Sequence, residues 1–335
     1  MKTIQAHTGL SGKRGARAFT MIEIMISLLI LGILLALLIG SVKLVTRTAK
    51  GTVDRAAVNE IQKGASQFKQ LFGFYIPLVR ERDPGNAVVI EPIPNANPAR
   101  NRVSVHKPQD ADFLDDLQAN NFTVNPLNPL LDERYSERSI AIYLAGVLPS
   151  PVFPAQPQGL PIDGVNGPGF CKPLIDGSFA IPADLLHPGA GADATKRTGQ
   201  TYEPFIQLGA SGLRFEGSAA QPDAVTIIDR SGVPIRYYRW EHKLTDLANP
   251  YRVPLMVGRN ASAIPGFPVP ESRDLSKNAN LRTAAFAIVS AGPDGVFGDE
   301  QLDVICQKLG ISLDPSSEVK IRMRAEQDNV VEVGS

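Results

Sequence analysis

The chain is poor in the residues from which covalent and metal chemistry is usually built. Its 335 residues include two cysteines, Cys171 and Cys306, too few for a disulfide framework. The four histidines, His7, His106, His187 and His242, are scattered, with neither metal-ligand spacing nor a pair one helical turn apart. There is no excess of charge of either sign: 34 Lys and Arg balance 34 Asp and Glu, which argues against nucleic acid as a partner. The one basic stretch interleaved with aromatics, Arg236-Tyr237-Tyr238-Arg239-Trp240, alternates as a strand does. A Walker phosphate loop, a Gly-x-Ser-x-Gly elbow and a His-Glu-x-x-His pair are all missing. No catalytic residue is therefore assigned, and the chain reads as a non-enzyme. With 43% hydrophobic and 20% charged residues it still has ample material for a core.

What the chain does have is one long apolar run at residues 19–42, preceded by Lys13-Arg14-Gly15-Ala16-Arg17-Ala18, which is basic and contains no acid. As a helix, residues 24–42 would span about 30 Å, the thickness of a bilayer core. The run is longer than the apolar core of a secretory signal, and no Ala-x-Ala site follows it. Lys2, Lys13, Arg14 and Arg17 hold the amino terminus on the cytoplasmic side by the positive-inside rule, so the rest of the chain lies outside. One residue does not suit a plain anchor. Glu23 places a carboxylate in a segment fit for lipid, where an acid costs about 2.5–3.5 kcal/mol at a helix centre and less near its edge. Such a group calls for a partner.

The helical pattern continues beyond the membrane. Val53, Ala57, Ile61, Ala65, Phe68 and Phe72 recur at spacings that put them on one face, with Asp54, Arg55, Asn59, Glu60, Lys63 and Lys69 on the others. A single helix over 19–72, about 80 Å long, is predicted, apolar all round at first and amphipathic afterwards. Gly40 and Gly51 weaken it by about 1 kcal/mol each relative to Ala. Gly73 and Pro77 close it.

The string Ala18-Phe19-Thr20-Met21-Ile22-Glu23-Ile24-Met25 resembles the prepilin signature of type IV pilins and type II secretion pseudopilins. The resemblance implies that a membrane peptidase cuts between Ala18 and Phe19, that the new amino group is methylated, and that Glu23 becomes the fifth mature residue. It also supplies the missing partner: in a stack of subunits, the carboxylate of Glu23 meets the amino terminus of a neighbouring Phe19, and two charges poorly tolerated in lipid neutralise each other in correct register. The chain departs from the family pattern in having Ala18 where Gly is usual before the cut, and Gly40 where many members have Pro.

Residues 78–202 are rich in Pro, Asn, Asp and Gly and read as a large loop-rich insertion, with helices expected at 110–120 and 136–148. Strand character returns at 224–228 and 235–240, separated by Asp229-Arg230-Ser231-Gly232-Val233-Pro234, which predicts a hairpin. That turn resembles the Asp-x-x-Gly-x-Pro turn of major pseudopilin heads. A buried-type strand at 284–290 runs into Ala291-Gly292-Pro293-Asp294-Gly295-Val296-Phe297-Gly298-Asp299-Glu300. This loop resembles the calcium loop of the same heads, which implies Asp294, Asp299 and Asp303 as ligands, with Glu300 as a further candidate, and Ca2+ as the bound ion. Outside the cytoplasm Cys171 and Cys306 could pair in a disulfide. Residues 318–324 alternate like an edge strand, and the polar end after them is expected to be loose.

The expected fold is α+β: a long amino-terminal helix, transmembrane in its first half, packed on an antiparallel sheet head. The expected divisions are a basic leader (1–18), the stem (19–72), the insertion (73–202) and the sheet head with its acidic loop (203–335). The resemblance implies a structural subunit of a type II secretion pseudopilus or type IV pilus-like filament in the bacterial inner membrane. Its partners would be other pilin-like subunits, prepilin peptidase, an inner-membrane assembly platform and lipid. A membrane-anchored extracytoplasmic enzyme or ligand-binding protein is the alternative.

Overall fold

The computed structural model describes residues 21–79, 89–97, 99–104, 111–112, 135–146, 163–165, 168–183, 200–207, 213–218, 221–240, 253–254, 256–258, 269 and 271–334. The chain divides into two compact units, Met1–Thr48 and Ala49–Ser335. Helix α1 (Met21–Phe72) begins in the first and continues into the second, unbroken over 52 residues. Within the first unit, Met21–Leu38 is long and apolar enough to cross a membrane, and its side chains are exposed. A helix this apolar and this exposed is suited to lipid rather than water.

The second unit is α+β. Its strands are β1 (Leu78–Val79), β2 (Val89–Pro92), β3 (Arg100–Ser104), β4 (Ala111–Asp112), β5 (Tyr135–Ser136), β6 (Phe170–Cys171), β7 (Phe179–Pro182) and β8 (Thr201–Tyr202). After these come β9 (Arg214–Ser218), β10 (Gln221–Ile228), β11 (Arg236–Arg239), helix α2 (Ala279–Thr283), β12 (Phe286–Ser290), helices α3 (Leu302–Leu309) and α4 (Glu318–Glu326), and β13 (Val330–Gly334). The largest sheet is antiparallel in the order β13, β12, β11, β5, with Tyr237 opposite Ile288 and Ile288 opposite Glu332. A three-stranded sheet, β2, β3, β7, and three two-stranded pairs accompany it.

Burial on both faces explains why the strand is apolar without interruption over 286–289. Side chains alternate along a strand, so Tyr237, Phe286 and Ile288 enter one core cluster while Tyr238, Ala287 and Val289 enter another. The first cluster takes Ala57, Val58, Ile61, Ala65 and Phe68 from α1. Phe68 has no exposed surface and meets the rings of Phe72, Phe74, Tyr143 and Phe205 at centroid distances of 4.8, 5.5, 6.1 and 6.0 Å. Asp54, expected on the polar side of α1, is fully buried. The buried stripe runs 54, 58, 61, 65, 68, whose spacings of four and three are as helical as the series read from sequence.

Several local expectations are corrected. The segment 136–148, read as one helix, begins with Ser136, which joins the central sheet together with Tyr135, and continues to a π-helical turn, Ala141–Ala145, whose residues are all buried; residues 147 and 148 lie outside the described residues. The loop-rich stretch thus contributes to the core itself, because Ile140, Tyr143 and Leu144 form an apolar face that packs in the same cluster as α1. Of the helix expected at 110–120, residues 111 and 112 form β4 and the remainder lies outside the described residues. β10 ladders with β9 rather than with β11, so the expected hairpin narrows to a bridge between Ile228 and Pro234. The two bonds of that bridge, from the Asp229 amide to the Val233 carbonyl and from the Ile235 amide to the Ile227 carbonyl, both at 2.9 Å, leave Pro234 at a position that needs no N–H. Residues 318–324 are helical, not an edge strand: Ile321 and Ala325, four apart, are buried, and Arg322 pairs with Glu318 at 2.8 Å. The edge strand is instead the tail, Val330–Gly334, hydrogen-bonded to β12. Gly334 lies under the Phe286 ring, where a Cβ would collide.

Candidate functional site

Two places carry the residues singled out from sequence. Glu23 lies in the first turn of α1, exposed at the start of the apolar segment. An acid in the first turn is favoured by the helix dipole, which offsets part of its cost there. Ala18 and Phe19 lie outside the described residues.

The second place is the loop after β12, which is built from the strand outward. The turn before it is organised by Asp229, a buried carboxylate whose Oδ1 accepts from the Ser231 and Val233 amides at 2.9 and 3.0 Å and whose Oδ2 accepts from Ser290 Oγ at 2.8 Å. Burial raises the Asp229 carboxyl above the usual aspartate range, and the hydrogen bonds from Val233 and Ser290 only partly offset this. Gly292 then turns with φ of +72°, where any Cβ would meet the Asp328 carbonyl oxygen.

The four acids of the loop do not converge. Asp294 Oδ1 accepts from the Val296 amide at 3.1 Å, and both Glu300 oxygens accept backbone amides, from Phe297 at 2.8 Å and Gly298 at 2.9 Å. Asp303 is exposed in the first turn of α3. Asp299 Oδ2 meets Arg236 Nη1 at 2.5 Å. Burial raises the Asp299 carboxyl, Arg236 pulls it back, and Glu300 adds to the rise. The Arg236 guanidinium lies near two rings, 4.5 Å from the centroid of Tyr135 and 3.7 Å from that of Phe297, and its Nε reaches Glu137 Oε1 at 3.4 Å.

The loop carbonyls are also engaged. Gly295 O accepts from Lys308 Nζ at 2.7 Å and Phe297 O from Asn329 Nδ2 at 2.8 Å. Gly298 O and Glu300 O both accept from Arg322 Nη1, at 2.7 and 2.8 Å. Calcium needs six to eight oxygens. Among the described residues no group of three or more His, Cys, Asp or Glu side chains is placed to hold a metal ion. The donor set implied by the resemblance therefore does not fit Ca2+: Glu300 is spent on amides, Asp299 on a guanidinium, and Asp303 stands on a helix surface.

The expected disulfide is likewise not formed. Cys171 is a buried thiol in β6 beside Gly164, and Cys306 a buried thiol in α3 clustered with Val296, Ile305, Ile321 and Ala325. Each is packed into its own surroundings.

Comparison with known proteins decides the reading of the amino terminus. A family model described as the prokaryotic N-terminal methylation motif matches residues 13–39. The chain carries a prepilin-type methylation motif. The match spans the basic segment, Phe19, Glu23 and most of the apolar run, and it overlaps the start of α1. It supports a type IV pilin-like or pseudopilin precursor, anchored in a membrane and processed by prepilin peptidase. No curated protein and no solved structure matches the chain. Sequence reasoning missed Arg236, Lys308 and Arg322 as the residues that hold the loop. Arg236 was visible only as an alternating strand residue, and the other two sit on helices that either went unread or were read as strand.

Proposed function

We propose that the chain is a structural subunit of a type II secretion pseudopilus or type IV pilus-like filament. The observation that carries this reading is the methylation motif at 13–39 overlapping the start of a 52-residue helix, apolar at its start and packed into a sheet-bearing unit at its end. A cut after Ala18 leaves Phe19 as the new amino terminus. Its positive charge and the carboxylate of Glu23 then sit four residues apart in the same apolar stem, and in a staggered stack each neutralises the other's counterpart on the neighbouring subunit. The apolar stem surface is covered by other stems, which removes it from lipid during assembly. The head is carried outside the cytoplasm, and the work of the subunit is mechanical.

The test separates insertion from assembly. Glu23→Ala is expected to leave membrane insertion and removal of the leader intact while abolishing incorporation into sheared filaments. Filaments of normal yield from this variant would overturn the role given to Glu23.

A further inference from the structure

We propose that the acidic glycine-rich loop at 292–300 is held in shape by cations belonging to the protein, Arg236, Lys308 and Arg322, in the place where a calcium ion would otherwise be needed. The proposal does not depend on whether the chain assembles into a filament.

An acidic loop rich in glycine has two problems. Its carboxylates repel one another, and its carbonyls, turned inward by tight curvature, need donors. A divalent cation solves both by collecting oxygens of each kind. Here each oxygen class has a different solution. The carbonyls of Gly295, Gly298 and Glu300 accept from Lys308 on α3 and Arg322 on α4. The carboxylate of Asp299 is matched by Arg236 on β11, and both side chains are nearly buried, about one-tenth exposed, so this pair is little screened by solvent. Four buried oxygens at the loop, Asp294 Oδ2, Asp299 Oδ1, Asp328 Oδ1 and Asn329 Oδ1, accept no hydrogen bond among the described residues, and four are still short of the six that calcium requires.

Arg236 is also fixed in position. Its guanidinium lies over the ring of Phe297, a residue of the loop itself, and over that of Tyr135 of β5. For it to leave Asp299 it would have to vacate both rings and its contact with Glu137. A divalent ion entering beside Asp299 would therefore meet a fixed positive charge. The three cations come from three separate elements, so the same contacts that order the loop also tie α3 and α4 to it.

The test uses the full-length protein in detergent, with the single tryptophan, Trp240, as a buried reporter of unfolding. Thermal unfolding in excess chelator and in calcium at about 5 mM, above the roughly 10⁻³ M range of weak extracellular sites, is expected to give the same midpoint. A calcium-dependent rise that magnesium does not reproduce would overturn the proposal. Arg236→Met is expected to lower the midpoint and to speed amide exchange at Phe297 and Gly298. The double variant Arg236→Met with Asp299→Asn should recover part of that loss, because the buried carboxylate no longer stands without its cation. A double variant no more stable than Arg236→Met alone would count against the pair. Should the Arg236 variants fail to fold, Lys308→Met, on an exposed residue, tests the same idea. It is expected to speed exchange in the loop with no response to calcium, and recovery of slow exchange on adding calcium would overturn the proposal.

Discussion

Asp229 shows how much one buried carboxylate can organise. It accepts two turn amides and the Ser290 hydroxyl, and so joins the 229–234 turn to the end of β12. Asp229→Ala is expected to cost about 2–4 kcal/mol, from lost hydrogen bonds to a charged acceptor and the donors left unpaired, measured by chemical unfolding in detergent. The carboxyl is raised in the folded state. A raised carboxyl contributes stability that is fully present below its unfolded value and is lost as pH rises through its folded value. The stability of the wild type relative to Asp229→Asn should accordingly be greater near the ordinary aspartate value of 3.8 than at neutral pH, and a difference that does not change with pH would count against it. At Gly292 the backbone conformation and the Asp328 carbonyl both exclude a side chain. Gly292→Ala is expected to destabilise by more than the about 1–2 kcal/mol of left-handed strain alone, seen as a lowered unfolding midpoint.

At the scale of elements, α1 was legible because its signal is long and periodic. The structure agrees with the 19–72 reading over Met21–Phe72. Phe68 sits at the centre of an aromatic group on that helix, and Phe68→Ala is expected to cost about 3–5 kcal/mol, checked by thermal unfolding followed at Trp240. Short elements were read less well, for a physical reason. Residues 318–324 alternate for too few positions to distinguish strand from helix, and what decides is the burial of Ile321 and Ala325 against α3. Val330–Gly334 is Val-Val-Glu-Val-Gly, a β-branched stretch too short to stand out at the end of a polar tail, and it pairs along the edge of β12 with Val330, Val331 and Val333 packed on the core.

For the whole molecule, the methylation motif sets the processing expected of the precursor. A large side chain before the cut, as in Ala18→Leu, is expected to leave the leader attached, read as an unchanged intact mass of the membrane-inserted chain. A normally trimmed product would place the cut elsewhere. At the loop, a likeness in sequence is not accompanied by a converging set of acidic side chains among the described residues. Spacing of acids suggested calcium, whereas Asp299 meets Arg236 of β11 and the loop carbonyls are taken by Lys308 of α3 and Arg322 of α4.

The sequence by itself determined the basic segment before the apolar span, that span with its one acid, the long helix that ends at Phe72, and a central strand, read as 284–290 and found at Phe286–Ser290. Each of these is written in local composition or in a period repeated over many residues, and needs no distant partner to be recognised. The tertiary structure alone decided that 135–145 belongs to the core, that the tail is the sheet edge, and that Asp299 faces Arg236. Those outcomes depend on which groups from remote segments arrive at the same place, and a buried carboxylate or an unpaired strand edge is satisfied by whichever suitable partner the packing brings to it.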